Sequence, residues 1–313
     1  MADIPVYIAT GFLEAGKTRF FLDILADRDF MDGQKTLLIV CEEGELEYPQ
    51  KLLKEANTTL VTVEEQDTLT PLYFKELQKR YRPERAFIEY NGMWDIEALG
   101  RALPKSWPLV QMFTVINADT FDMYLRNMRS LLMSHVKFSD VVIVNRCDAN
   151  TKKSSIRRAM KAANGRVQVV YENKDGVNAD EVEDDLPYNA NAPEITLEDA
   201  DFGIFYLDVM ENPTKYAGKR INFKAMAYRD KDMPRGFFYA GRYAMTCCEA
   251  DIQYVGVVVR YAECAKLPNM GFVNISGILT VEANDLYTAP GPVITADAVV
   301  PAAKPQDRLV YFT

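Results

Sequence analysis

In the first half of the chain, short apolar runs alternate with segments in which apolar residues recur every three to four positions. The runs are VYIAT at 6–10, TLLIV at 36–40, TLVTV at 59–63, AFIEY at 86–90, FTVIN at 113–117, VVIVN at 141–145 and VQVVY at 167–171. Between them, 17–26 places Phe20, Phe21, Ile24 and Leu25 on one helical face, and 72–80 and 121–136 also read as helical. Strands apolar on both faces need cover on both sides. The pattern therefore predicts an α/β domain, a mostly parallel sheet with helices on both faces.

From 172 to 201 the pattern stops. This stretch carries eleven acidic residues against one basic, with Pro187, Pro193 and several Asn, and reads as an acidic, solvated linker with short ordered pieces. Beyond it the text reads as β throughout: FGIFYLDVM, RINFKAMAYR, GFFYAGRYAMTCC, YVGVVVRY, GFVNISGILTV and LVYF, broken by Gly, Pro and Asn. That spacing predicts a small all-β sandwich or OB-like barrel. The expected division is 1–171, 172–201 and 202–313, with no internal repeat.

Composition narrows the classes. A chain of 313 residues with 48% hydrophobic and 26% charged residues is globular and long enough for about two domains. No apolar stretch reaches the ~18 residues that cross a bilayer, and the start lacks a signal-peptide layout, so a cytoplasmic protein that does not span a membrane is expected. The net charge is −9, but the acidic stretch alone carries −10, leaving the rest at +1. The low charge thus describes the connector. No basic surplus supports nucleic acid as a partner. Cys41, Cys147, Cys247, Cys248 and Cys264 are odd in number and far apart, unlike a disulfide framework, and one histidine, His135, leaves little room for a histidine-based zinc site.

Gly11-Phe-Leu-Glu-Ala-Gly-Lys17-Thr18 fits G-x-x-x-x-G-K-[ST] between a predicted strand and helix, the setting of a P-loop NTPase. In such a loop Gly11, Glu14, Ala15, Gly16, Lys17, Thr18 and Arg19 surround the phosphates. The backbone amides face the oxygens, Lys17 reaches the β and γ phosphates, and the Thr18 hydroxyl takes magnesium. At the end of VVIVN stands Asn145-Arg146-Cys147-Asp148. Asp148 there can accept from the N1 and exocyclic N2 of guanine, Asn145 can tie this loop to the phosphate loop, and Arg146 can lie over the base. The alternative is a polar turn. Glu89 ends a buried strand, where it can hold magnesium through water, and Gly92 can give its amide to the γ phosphate; a plain polar strand end is the alternative.

GFLEAGKT, VCEEGELEY, FIEYNG and VNRCD together resemble the CobW-type GTPases, relatives of the UreG and HypB metallochaperones, over about residues 4–171. The family writes these segments GFLGAGKT, NEFGE, IETSG and NKxD. The resemblance implies GTP and magnesium as cofactors, and it puts Glu42 in the switch segment as a catalytic or magnesium-ligand candidate beside Lys17, Thr18 and Glu89, with Gly44 and Glu45 following. It also implies a protein client in metal or cofactor metabolism. Three departures stand out. The family's C-x-C-C motif is missing from the interval that here reads VTVEEQDTLTP, which removes the soft thiolates that would carry zinc there. Arg146 replaces a lysine, and Glu14 replaces a glycine and is expected to point outward.

The second half, around KYAGKRINFKAMAYRD and RYAMTCCEAD, resembles the C-terminal region of YcgQ-type proteins, which accompany a predicted permease, so a membrane permease is a further candidate partner. Cys247 and Cys248 are adjacent. They read either as a small buried pair or as ligands for Zn2+ or another transition metal, with Asp251 or Cys264. Phe237, Phe238, Tyr239, Arg242 and Tyr243 would serve as core or, less simply, as stacking platforms. Two functions follow: a slow, magnesium-dependent GTPase switch, or a non-catalytic nucleotide-binding adaptor whose β-domain docks on a permease or binds metal.

Overall fold

The computed structural model describes residues 3–179, 185–246 and 249–312. The chain divides into two compact units. Among the described residues the first holds 3–153 and 163–179, and the second holds 154–162 and everything from 185 on.

From the start to β7 the chain runs β1 (Val6–Thr10), α1 (Lys17–Ala26), α2 (Arg28–Met31), β2 (Thr36–Val40), α3 (Gln50–Glu55), β3 (Thr58–Thr62), α4 (Pro71–Tyr81), β4 (Arg85–Glu89), α5 (Ile96–Ala102), β5 (Leu109–Asn117), α6 (Phe121–Asn127), α7 (Arg129–Phe138), β6 (Val141–Cys147), α8 (Lys153–Ala163) and β7 (Gln168–Asn173), all in the first unit except α8, which falls in the second but for its two end residues. The seven strands of the first unit are all parallel, in the order β3-β2-β4-β1-β5-β6-β7. Every residue of β2 and β4 is buried. One sheet face packs Ile8, Ile39, Phe74 and Trp107, the other Phe21, Leu25, Leu38 and Phe87, which is the two-sided cover that continuous apolar strands require. Local signals start the helices: Thr70 caps α4 by accepting from the Tyr73 amide with Pro71 next, and Asp95 caps α5 through the Glu97 amide.

Strand order decides where a ligand can sit. The chain places β2, β3 and β4 on one side of β1 and β5 to β7 on the other, so the crevice beyond the carboxyl ends of β4, β1 and β5 is the topological switch point. Register brings Ala9 beside Glu89, Glu89 beside Val40, and Asn117 beside Asn145 at that same edge. The helix expected over 121–136 is two helices, because Met128 leaves helical geometry at φ −135° and ψ 32°. α6 buries Phe121, whereas α7 buries Leu132, Met133, His135 and Val136, so each follows its own packing direction.

The second unit adds β8 (Glu194–Thr196), α9 (Phe202–Glu211), β9 (Arg220–Tyr228), β10 (Phe237–Ala244), β11 (Gln253–Arg260), β12 (Gly271–Glu282), β13 (Gly291–Pro301) and β14 (Leu309–Val310). The order β9-β10-β11-β13-β12 closes back on β9, giving a five-strand barrel, with β8 and β14 as flanking strands. Of the sandwich and the OB-like barrel, the chain forms the barrel. FGIFYLDVM, read as a strand, is the helix α9. It is apolar at nearly every position, which hides the period; burial of Phe202, Phe205 and Val209 shows helical spacing, with the Phe202 ring stacked on Phe223 of the barrel. Within the acidic stretch, β8 pairs with the start of β9, and Ala190, Ile195 and Leu197 are buried in this core. The central residues of α8 also belong here, with Arg157 paired to Glu211 at 2.6 Å and Arg158 to Asp185 at 2.7 Å.

Candidate functional site

The loop from Gly11 to Lys17 needs its glycines for space as well as for conformation. Gly11 has φ +134° and Gly16 φ +109°, values that favour glycine. A Cβ on Gly11 would meet the Val115 carbonyl oxygen at 2.2 Å, and one on Gly16 would meet Asn145 Nδ2 at 2.5 Å. Gly92, in the loop after β4, lies against the same loop, since its Cβ would sit 2.2 Å from the Gly11 oxygen. Ala15 is buried, whereas Glu14 is exposed at φ +58°.

Lys17 opens α1 and is 3% exposed. Its ammonium donates to the Gly11 and Phe12 carbonyls at 2.7 and 3.0 Å and to Glu42 Oε2 at 2.5 Å. Glu42 reaches it from the loop after β2, where Gly44 also approaches the Thr18 hydroxyl. Thr18 Oγ1 donates to Glu89 Oε1 at 2.7 Å, and Tyr48 OH donates to the other Glu89 oxygen. Burial raises the Glu89 pKa, against the lowering by the Tyr48 and Thr18 hydrogen bonds and by Lys17. The neighbouring Cys41 thiol is pushed up to about 12, by burial first and then by the Glu89 and Glu42 charges, so it stays protonated.

Residues from β6 close the far side. Asn145 Nδ2 donates to the Ala15 oxygen at 2.7 Å, and Arg146, at φ +57°, donates to the Glu14 oxygen at 3.1 Å. The Asp148 carboxylate is fully exposed and accepts from the Asn150 amide and Thr151 Oγ1, bonds that lower its pKa. Arg19 turns away from the loop along α1 and pairs with Asp23 at 3.0 Å.

Thr18 and Glu89 present only hard oxygen atoms, the donor type magnesium takes. Among the described residues, no three His, Cys, Asp or Glu side chains converge to hold a metal by themselves. Cys247 and Cys248 lie outside the described residues. Cys41, Cys147 and Cys264 are free and buried. Asp251 accepts from the Thr246 amide, and Arg242, 1% exposed, pairs with Asp199 at 3.2 Å and donates to the Asp307 oxygen at 2.7 Å.

A family model described as the CobW/HypB/UreG nucleotide-binding domain matches residues 5–171, over half of the chain. The chain belongs to the CobW/HypB/UreG family. Residues 172–312 match the DUF1980 C-terminal domain. The zinc chaperone CobW of Pseudomonas aeruginosa is 35% identical over 133 residues, which cover 39% of this chain and 34% of that protein; the chain thus spans about a third of that relative's length. Among solved structures, Zn(II)-bound YjiA GTPase from E. coli is similar over 54% of this chain and 57% of that one, at 22% identity and a TM-score of 0.41. The hydrogenase maturation factor HypB of Archaeoglobus fulgidus covers 54% of this chain and 81% of its own, at 11% identity and a TM-score of 0.37.

In this CobW/HypB/UreG chain the structure adds residues that sequence reasoning passed over. Tyr48 stands inside VCEEGELEY, yet nothing in its spacing points to Glu89. His135, noted only for its solitude, is 2% exposed and bonds Thr10 Oγ1 through Nδ1 at 2.9 Å and the Gly92 oxygen through Nε2 at 3.2 Å. Among the described residues no helix is long and apolar enough to cross a membrane.

Proposed function

We propose that this protein is a cytoplasmic, magnesium-dependent GTPase, slow without a partner, that serves as a nucleotide switch for a protein client in metal or cofactor handling. One observation carries the reading: Lys17 and Thr18, at the start of α1, converge with the Glu42 and Glu89 carboxylates at the switch point of a parallel sheet. The zinc chaperone name of the Pseudomonas relative supports zinc as the cargo. Glu42 holds Lys17 where a phosphate would, so an incoming triphosphate takes over the Lys17 ammonium and frees the Glu42 carboxylate. Bound magnesium would supply charge neutralisation at the β and γ oxygens, with Thr18 as a ligand and Glu89 holding its water. Asp148 stands at the end of β6 to accept from guanine, with Arg146 beside it. Lys17 and the loop amides stabilise charge on the transferring phosphoryl group, so catalysis is electrostatic in the main.

Calorimetry tests this reading: GTP should bind more tightly than ATP, Lys17→Ala should abolish the binding, and Asp148→Ala should erase the preference. Phosphate release above a buffer control separates a GTPase from a non-catalytic binder. Equal affinity for GTP and ATP together with an unaffected Lys17→Ala would overturn the proposal. For the cargo, a Cys247→Ala, Cys248→Ala double variant with unchanged zinc content would remove those thiols as ligands.

A further inference from the structure

His135 lies on α7, one of the two helices between β5 and β6, yet its ring reaches the last residue of β1, just before the glycine-rich loop, and the loop after β4. Nδ1 is 2.9 Å from the hydroxyl of Thr10, the residue before Gly11, and Nε2 is 3.2 Å from the carbonyl of Gly92. A carbonyl only accepts, so the ring proton sits on Nε2. Nδ1 is left as an acceptor, and the Thr10 hydroxyl donates to it. Burial supports the neutral form, pushing the His135 pKa down to about 4. The backbone that carries the ring is tied to β5: Ser139 Oγ donates to the His135 carbonyl at 3.0 Å and bonds Thr114 Oγ1 of β5 at 2.6 Å.

The held group is the Gly92 carbonyl, and the Gly92 backbone lies against the Gly11–Phe12 peptide too closely for any side chain between them. A glycine in a loop has wide backbone freedom, so a bond to its carbonyl on one side of Cα and the Gly11–Phe12 peptide on the other leave its amide less room to turn. His135 makes that bond, fixed to the end of β1 on one side and to the loop after β4 on the other.

We propose that His135 is a positioning residue for the third phosphate of the nucleotide, holding Gly92 so that its amide meets a γ-phosphate oxygen. The inference rests on the GTPase reading above. A diphosphate has no γ-phosphate for the Gly92 amide to meet, so its binding does not draw on this contact. His135 therefore separates triphosphate from diphosphate without touching either.

The test is calorimetry on the full chain in magnesium buffer with GDP and a non-hydrolysable GTP analogue. His135→Phe keeps a ring and removes both hydrogen bonds. It should weaken the analogue by about tenfold, the size of one positioned hydrogen bond, and leave GDP within about twofold. His135→Gln, which can still donate to the Gly92 carbonyl, should restore most of the loss. Thr10→Val, which frees one side of the ring, should give a smaller loss in the same direction, and these two variants read the same ratio if His135→Phe does not fold. Equal weakening of both nucleotides would make His135 a structural support only, and an unchanged ratio in all variants would end the proposal. Wild-type protein binding neither nucleotide would instead bring down the GTPase reading, and this inference with it.

Discussion

Lys17 and Glu42 are joined at 2.5 Å, with side chains 3% and 10% exposed, so the lysine of the phosphate loop is fully engaged by the chain itself. A carboxylate so placed competes with any other anion for the same ammonium. On the proposed nucleotide reading, each phosphate that reaches Lys17 must first replace a carboxylate that already neutralises it.

Removing Glu42 should therefore separate stability from affinity. Glu42→Ala should lower the stability of the nucleotide-free protein by about 2 kcal/mol, less than a broken buried pair usually costs, because Lys17 keeps two carbonyl partners. GDP affinity should rise about fivefold over wild type, since the competing anion is gone. Thermal denaturation with and without GDP checks both; equal losses in the two conditions would contradict the competition.

Gly92→Ala is expected to act through backbone alone. The new Cβ would meet the Gly11 oxygen at 2.2 Å, the Gly11 carbon at 2.4 Å and the Phe12 nitrogen at 2.8 Å, none of them a flexible side-chain end. One loop must move, at a cost of about 2–4 kcal/mol, and nucleotide binding should fall with it. A denaturant midpoint within error of wild type would show that the two loops are not in tight contact.

Acid should loosen the fold through His135. Its folded pKa, about 4, lies below the ordinary 6.5, so its contribution is complete above pH 6.5 and is lost as pH falls towards 4. Desolvation is the main cause; the Lys17 charge adds to it, and the Gly92 hydrogen bond and Asp95 act against it. The full term is about 3 kcal/mol. Glu89 slopes the other way, since its raised pKa makes its term fade as pH rises through the folded value. Urea titrations from pH 7.5 to 4.5 should show the acid slope shrinking in His135→Gln. An identical slope would assign the acid sensitivity elsewhere.

In the barrel, Arg242→Ala should destabilise the second unit by about 3 kcal/mol, because it leaves a cavity against Phe272 and takes a buried cation from Asp199 and the Asp307 carbonyl. Arg242→Met, which fills the space with apolar atoms, should cost less than half as much. Chemical denaturation followed by tyrosine fluorescence reads the difference.

Much of the fold is legible in the sequence. Runs such as TLLIV and VVIVN are apolar on both faces, and only a sheet covered on both sides can bury them. The glycine spacing of residues 11–18 is equally local, since a loop that wraps an anion needs φ values and clearances that other residues lack. Locality fails where burial on one side must be distinguished from burial on all sides. FGIFYLDVM is apolar at almost every position, so period alone does not separate strand from helix, and contact with Phe223 selects α9. The acidic stretch looks solvated by composition, yet Ile195 and Leu197 are carried into the barrel core by a strand of three residues.

For the site, the sequence by itself determined which chemical groups stand at the carboxyl ends of the strands: a lysine and a threonine after β1, carboxylates at the ends of β2 and β4, and Asn145 and Asp148 at β6. Only the tertiary structure decided which of them touch. Glu42 lies 25 residues from Lys17, Tyr48 lies 41 from Glu89, and His135 lies 125 from Thr10. Hydrogen bonds over such separations are set by the order and register of parallel strands, and that order is fixed by how whole strands and helices pack, which no single segment of the chain encodes.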